Sequence, residues 1–151
     1  MAQYVETTDF VAEYGERMLI RLFAFKALPS DPEPEVADAK DKFDLVATAV
    51  SLEVDGYLRR RYSLPLATVP ADLKDKCLRM VHYKGQLKSP SGVVTDAIRN
   101  DYRDCVRWLE QAAEGKVDLG LTPEPAQNVQ REPEFSSDEQ VMTRDKLKGV
   151  L

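Results

Sequence analysis

The stretch VATAVSLEVDGYLRRRYSLPL, residues 46–66, holds the features that decide the fold. Apolar residues recur in it at the spacing of one face of an α-helix: Val46, Val50, Val54, Tyr57 and Leu58. Such a spacing of three and four residues is typical of a helix that packs on a core. Pro65 then ends the helix, because the residue before a proline avoids the helical backbone conformation. Extended towards the N-terminus, the pattern predicts one long helix over residues 36–62.

A second set of apolar residues widens the same face: Leu45, Ala49 and Leu52. An apolar surface this wide is typical of a helix that neighbours contact on several sides. The long helix is therefore predicted to lie at the centre of a bundle.

Three further segments carry helical periodicity, over residues 9–25, 71–87 and 94–114. Pro70 suits the start of the second of these, since its missing N–H would have no partner in a first helical turn. Gly115 suits the end of the third as a C-terminal cap. Together with the long helix, these segments predict an all-α protein, a small four-helix bundle with an extended C-terminal arm.

The chain is predicted to divide into a helical bundle domain, residues 1–116, and the arm, residues 117–151. Within the domain, LPSDPEPEV at 28–36 contains three prolines and three acids, which predict an exposed loop rather than a helix. The arm has no sustained period and is too polar to bury a core by itself. Apolar residues are nevertheless spaced along it: Leu119, Leu121, Phe135, Val141, Met142 and Leu147. We expect these to contact another polypeptide.

Composition excludes several classes of protein. The chain has 151 residues and a formal net charge of −5, which argues against general affinity for nucleic acid. No apolar run approaches the ~20 residues of a membrane span, and the first ten residues lack the basic region of a secretory signal. Cys77 and Cys105 lack metal-ligand spacing and are predicted to be buried, reduced thiols.

The sequence contains few residues or motifs that are typical of a catalytic site. The chain has one histidine, His82, and neither a Walker loop nor a GxGxxG motif. Asp38, Asp41 and Asp44 are spaced by three residues, but acids near a helix start are usually solvated there and favoured by the helix dipole. The sequence therefore predicts no enzyme activity, no metal site and no cofactor.

Three consecutive arginines, Arg59, Arg60 and Arg61, lie in the last turn of the predicted long helix and precede Tyr62. At 3.6 residues per turn they spread over roughly 200–300° of helix surface, so they cannot all serve one flat surface. Cations at a helix C-terminus are stabilising by themselves. A guanidinium could also pair with a carboxylate of a neighbouring subunit. Direct contact with phosphate is a third interpretation, although phosphate binding usually recruits many cations. We predict a protein-contact role for residues 59–62 beside helix termination.

Three motifs in this order resemble the Mu-type head–tail adaptor family of tailed bacteriophages, also called connector or head-completion proteins. The strongest is D-G-Y-L-x-x-R-Y-x-L-P-L-x-x-V-P-x-x-L at 55–73, followed by WL-x-x-x-A-x-G-K-x-x-L-G at 108–120 and T-R-D-x-L-x-G at 143–149. The acidic proline loop at 28–36 and HYKGQL at 82–87 depart from the family pattern.

The resemblance implies a structural virion protein without enzymatic activity, located in the neck and assembled in the host cytoplasm. It implies a homo-oligomeric ring, expected to be a dodecamer, that binds the portal protein and a tail or tail-completion protein. DNA would pass through the channel without sequence-specific binding, and no membrane would be involved. A small helical DNA-binding regulator remains the alternative from another class, and an enzyme or metal-dependent factor is a third.

Overall fold

The computed structural model describes residues 3–24 and 32–123. Within these ranges the chain forms five α-helices and no strand: α1 (Thr7–Tyr14), α2 (Glu16–Phe23), α3 (Pro32–Leu58), α4 (Ala71–Lys88) and α5 (Asp96–Ala113). The all-α prediction is confirmed. The number of helices differs from the predicted four, because the first predicted helix is two helices.

Gly15 separates α1 from α2. Its φ of +84° lies outside the range that residues with a side chain readily adopt. The Gly15 N–H still bonds the Val11 carbonyl at 2.9 Å, but the helical path stops there and begins again at Glu16. The prediction of one continuous helix over 9–25 is therefore wrong at this point. The change of direction lets Phe10 of α1 and Phe23 of α2 both reach the core, where both are fully buried.

The long helix α3 begins and ends about one turn earlier than predicted. It starts at Pro32, so the predicted loop over 28–36 is wrong for residues 32–36. The reason is that a proline in the first turn removes an N–H that would have no helical partner there. At the other end α3 stops at Leu58, and residues 59–62 form a turn in which the Arg61 and Tyr62 N–H groups both bond the Leu58 carbonyl.

The core lies between the apolar faces of α1–α2 and those of α3, α4 and α5. Three rings meet edge to face or tilted at its centre, with Phe43 of α3 at 5.3 Å from Phe10 and 5.5 Å from Phe23 between centroids. The predicted inner face of α4 is buried as expected: Leu73, Cys77, Met80 and Val81. The predicted inner residues in the second half of α5 are buried as well: Cys105, Leu109 and Ala112.

The long helix α3 contacts each of the other four helices, as its predicted central position requires, but the predicted contact is missing on one side of the helix. Leu45 is 70% exposed and Leu52 is 46% exposed, and Ala49 between them is exposed too. The residues opposite them are buried: Phe43, Val46, Val50, Val54 and Leu58. The helix therefore packs on its neighbours with one face and leaves an apolar stripe on the other.

The chain after α5 folds back onto the helices. Leu119 is buried, and Val117 and Leu121 pack against the core. Residues 117–121 thus pack on the helical body, and the domain boundary at 116 stays a prediction. The apolar residues alternate with polar ones here, so a short extended segment can bury one side without a helix. The rest of the predicted arm lies outside the described residues.

None of the helices described in residues 3–24 and 32–123 is both long and apolar enough to cross a membrane.

Candidate protein interface

The turn of residues 59–61, which we call the arginine turn, directs its three side chains differently. Arg59 and Arg60 are exposed, and the Arg59 Nε–H points at the Asp55 carbonyl at 3.4 Å. Arg61 is half-buried instead. The three arginines therefore differ in exposure, and Arg59 and Arg60 offer the most charge to solvent.

Arg61 is held against the end of α5. A Cβ placed on Gly115 would lie 1.7 Å from Arg61 Nη1, so the guanidinium occupies the space that a side chain at Gly115 would need. Gly115 also has φ +78°, and its N–H bonds the Ala112 carbonyl at 3.1 Å, as the predicted helix cap requires. Arg61 Nε is buried without a hydrogen-bond partner in the described chain. Arg61 thus links the ends of α3 and α5.

A groove opens beside Arg60, between the C-terminal ends of α3 and α5. It measures about 350 Å³, and its walls are Gly56, Tyr57, Arg60, Glu110, Ala113 and Glu114. Lys116 bonds Glu114 at 2.7 Å, and this contact holds the pKa of the Glu114 carboxyl below its usual range. The lining combines Tyr57 and Ala113 with charges of both signs. Of these residue types, tyrosine and arginine are enriched at protein interfaces.

The other predicted interface residues are placed differently. Tyr62 is 3% exposed and belongs to the core, with the Arg61 guanidinium 6.0 Å from its ring centroid. Leu119 is buried and Leu121 half-buried in the same body. Four predicted contact residues lie outside the described residues: Phe135, Val141, Met142 and Leu147. The interface role of all these residues stays a prediction.

A polar network that sequence reasoning missed fixes α3 to α4 and α5 nearly two turns before the arginine turn. Glu53 of α3 accepts a hydrogen bond from Tyr102 Oη at 2.7 Å and forms an ion pair with Lys84. The Tyr83 ring stacks on Tyr102 at 4.3 Å between centroids. Desolvation, followed by the bond to Glu53, raises the pKa of Tyr102. Glutamate at 53 and lysine at 84 are ordinary surface residues by pattern, so no local signal indicated that they would meet.

The histidine and the two cysteines, whose side chains could take part in catalysis, pack within the fold. The single histidine, His82, stacks on Tyr14 at 4.6 Å between centroids, and desolvation lowers its pKa. Cys77 and Cys105 are buried and unpaired, and burial raises the pKa of the Cys77 thiol to about 12. Among residues 3–24 and 32–123, no group of three or more His, Cys, Asp or Glu side chains is arranged to hold a metal ion. Asp38, one of the three spaced acids, pairs with Lys42 at 2.7 Å.

The sequence matches the protein family described as Bacteriophage Mu, Gp36 over residues 4–137. The chain belongs to this family of phage proteins. Gene product J of Escherichia phage Mu is 34% identical over 150 residues, which cover 98% of this chain and 99% of the relative. The Mu-like prophage FluMu protein gp36 of Haemophilus influenzae is 31% identical over 122 residues, 81% of this chain and 79% of its own length.

The match to the Mu Gp36 family extends over both motif regions at the candidate interface. It includes the arginine turn, the groove beside Arg60 and Gly115, against which Arg61 lies. The family match also confirms the resemblance to a Mu-type phage protein.

Proposed function

We propose that this phage protein is a head–tail adaptor, a structural subunit of a ring that joins the portal to the tail and surrounds the DNA channel. The observation that carries the proposal is the match to a phage Mu family along most of the chain, together with a phage Mu relative of nearly the same length. The proposal places the protein in the virion neck after assembly in the host cytoplasm.

The surface of the molecule supports a role in protein contact. Rings form when one surface of a subunit binds a different surface of the next and the rotation closes. Arg59 and Arg60 project from the end of α3 beside a groove with acidic rim residues. Arginine next to aromatic and apolar surface is favoured at interfaces. A guanidinium here could pair with a carboxylate of a neighbouring subunit or of the portal.

The charge of the chain fits a channel protein better than a DNA-binding one. The net charge is −5, and the end of α3 carries two exposed arginines, Arg59 and Arg60. A negative wall would repel DNA weakly and let it slide, whereas tight phosphate binding recruits many cations. The DNA-binding regulator remains the competing function and is tested in the same experiment.

The test mixes the full chain with the portal protein of the same phage and measures particle mass by mass photometry, with electron microscopy for shape. We expect annular complexes on the portal. The double variant Arg59→Glu with Arg60→Glu should reduce their yield by about tenfold, since reversing buried interface charges costs more than one kcal/mol. Arg107→Glu on α5, an exposed arginine near Asp104, is the matched control and should assemble normally.

Two results would count against the adaptor. One is a chain that never binds the portal at any stoichiometry. The other is a salt-dependent shift of duplex DNA by the isolated chain that Arg59→Glu with Arg60→Glu abolishes, because that would support the regulator instead.

A further inference from the structure

The exposed side of α3 carries an ordered row of residues, which we call the open stripe: Asp41, Leu45, Ala49, Leu52, Gly56 and Arg60. All six are exposed. Their spacings are four, four, three, four and four residues, so the series of spacings is the same from either end. Spacings of three and four keep residues on one side of a helix. The row ends just beyond α3, where the Arg59 N–H bonds the Asp55 carbonyl at 3.0 Å and Arg60 lines the same groove as Gly56.

The stripe has a projection near one end and a recess near the other. Leu45 is the most exposed large apolar side chain in the described chain, at 70%. Gly56 leaves a gap, since a Cβ added to it would meet no atom within 4 Å. The groove of about 350 Å³ opens at the same place, with Tyr57 and Ala113 in its walls. A leucine side chain could enter this recess with apolar contacts on two sides.

The charges along the stripe are arranged with opposite signs at opposite ends. Asp41 lies before Leu45, and Arg60 lies after Gly56. Around Leu45 stand Lys42 and Lys88, which border a hollow beside it. Around Gly56 stand Glu110 and Glu114. A partner that matches this surface therefore needs an acidic residue opposite Arg60 and a leucine opposite the Gly56 recess.

The open stripe of a second copy, placed antiparallel to the first, has these residues at the required positions. We propose that two copies of this chain pair through their open stripes, with the two α3 helices antiparallel about a two-fold axis between residues 50 and 51. Leu45 of each copy then enters the Gly56 recess of the other, and Ala49 of each packs beside Leu52 of the other. Asp41 of each faces Arg60 of the other, and Lys88 of each approaches Glu110 of the other.

A second copy fits better than an unrelated partner because every feature of the stripe has its complement on the same stripe. An isologous contact needs this self-complementarity, in which one residue meets a second and the second meets the first. The contact is short, about 28 Å along the helix at 1.5 Å per residue, and its apolar part is small. We therefore expect a reversible dimer of the free chain rather than a permanent one.

This pairing does not rest on the adaptor proposal, and it would act before any ring forms. A two-fold contact closes on itself and cannot propagate around a ring through the same surface. The dimer would cover the exposed leucines of the unassembled subunit, and a larger assembly would have to separate it.

The first test is sedimentation velocity of the full chain alone, from about 1 μM to about 1 mM, which spans the dissociation constants of weak complexes. We expect a monomer–dimer equilibrium within this range. Gly56→Leu fills the recess in an exposed helical position and should raise the dissociation constant by at least about tenfold. Ala97→Leu, at an exposed position on α5, is the matched control and should leave it unchanged.

The second test fixes the antiparallel register. Asp41→Arg and Arg60→Asp each place two like-charged pairs in the homodimer and should weaken it about three- to tenfold. An equimolar mixture of the two variants restores both opposite-charge pairs in the heterodimer and should dimerise like the wild type. Circular dichroism checks that each variant is folded. The test with the two charge variants remains valid even if Gly56→Leu does not fold.

Three outcomes would overturn the proposal. One is a wild-type chain that stays monomeric over the whole range. Another is a dimer that Gly56→Leu and Ala97→Leu affect equally. The last is a mixture of the two charge variants that associates no better than either variant alone.

Discussion

The two sides of α3 are made of similar residues and have opposite surroundings. The inner side carries Phe43, Val50 and Val54, which are at most 1% exposed. The outer side carries Leu45 and Leu52, which are 70% and 46% exposed. Leucine and alanine on the outer side would be buried in an average helix, since the large apolar residues are those most often found inside.

The difference shows that the helix has more apolar surface than this body can cover. A row of exposed leucines on one helix face marks a surface for another molecule more often than isolated apolar residues do. The outer side also carries Gly56, which lines one groove with Arg60, so the apolar stripe and this exposed charge belong to one surface. Substitutions on the two sides should consequently affect different measurements.

The largest expected effect is on the inner side. Phe43→Ala removes a fully buried ring from its contacts with Phe10 and Phe23, and we expect the free energy of unfolding to fall by about 3–5 kcal/mol. Leu45→Ala, two residues away on the outer side, should change it by less than about 0.5 kcal/mol. Urea denaturation followed by circular dichroism, at a protein concentration of about 1 μM that limits self-association, measures both.

A comparable loss for the two variants would contradict the comparison. It would mean that Leu45 is covered within a single chain, and the open stripe would not exist in solution.

Helical periodicity was sufficient to predict the inner faces of α4 and α5 and the capping role of Gly115. These are local properties, since an apolar stripe and a glycine at a helix end act within a few residues. Periodicity could not tell which apolar stripe of α3 is buried, because Leu45, Ala49 and Leu52 recur at helical spacings just as Val46, Val50 and Val54 do. Burial depends on how many neighbouring helices exist to cover a face, and this is a property of the whole body.

Other differences have equally specific causes. The break at Gly15 depends on a backbone angle that a glycine permits but does not demand. The early start of α3 follows from the position of Pro32 in a first turn, which the sequence alone does not reveal. The Glu53–Tyr102 bond joins residues 49 positions apart, so no local pattern announces it.

Alkaline pH should test the inner side a second time. Burial raises the pKa of Cys77 to about 12, from an ordinary value of 9.0. Between these values the folded chain keeps a proton that the unfolded chain loses, so the free energy of unfolding falls as pH rises, by about 1.4 kcal/mol per pH unit for this thiol. Cys105 and Tyr102 act in the same direction.

The variant Cys77→Ala isolates the contribution of that thiol. It should be less stable at neutral pH because it leaves a small cavity, and its free energy of unfolding should fall less steeply between about pH 9 and pH 11. Urea denaturation at several pH values measures both slopes. Parallel curves for the variant and the wild type would show that the Cys77 thiol ionises as easily in the folded chain as in the unfolded one.

The smallest expected effects separate the two glycines near the end of α3. Gly56→Ala should raise the free energy of unfolding by about 0.5–1 kcal/mol, because its new Cβ meets no atom and alanine favours the helix. Gly115→Ala should lower it by about 1–3 kcal/mol, since the backbone has φ +78° and the Cβ would displace the Arg61 guanidinium. Urea denaturation measures the two signs directly.

Combination with Arg61→Ala divides the Gly115 effect into its two causes. Removing the guanidinium relieves the steric part and leaves the backbone part, so the double variant should lose less than the sum of the single variants, by about 1 kcal/mol. Additive losses would mean that Arg61 moves away from Gly115 without cost. In that case Arg61 would be as free as Arg59 and Arg60, and all three arginines would count among the candidate contact residues.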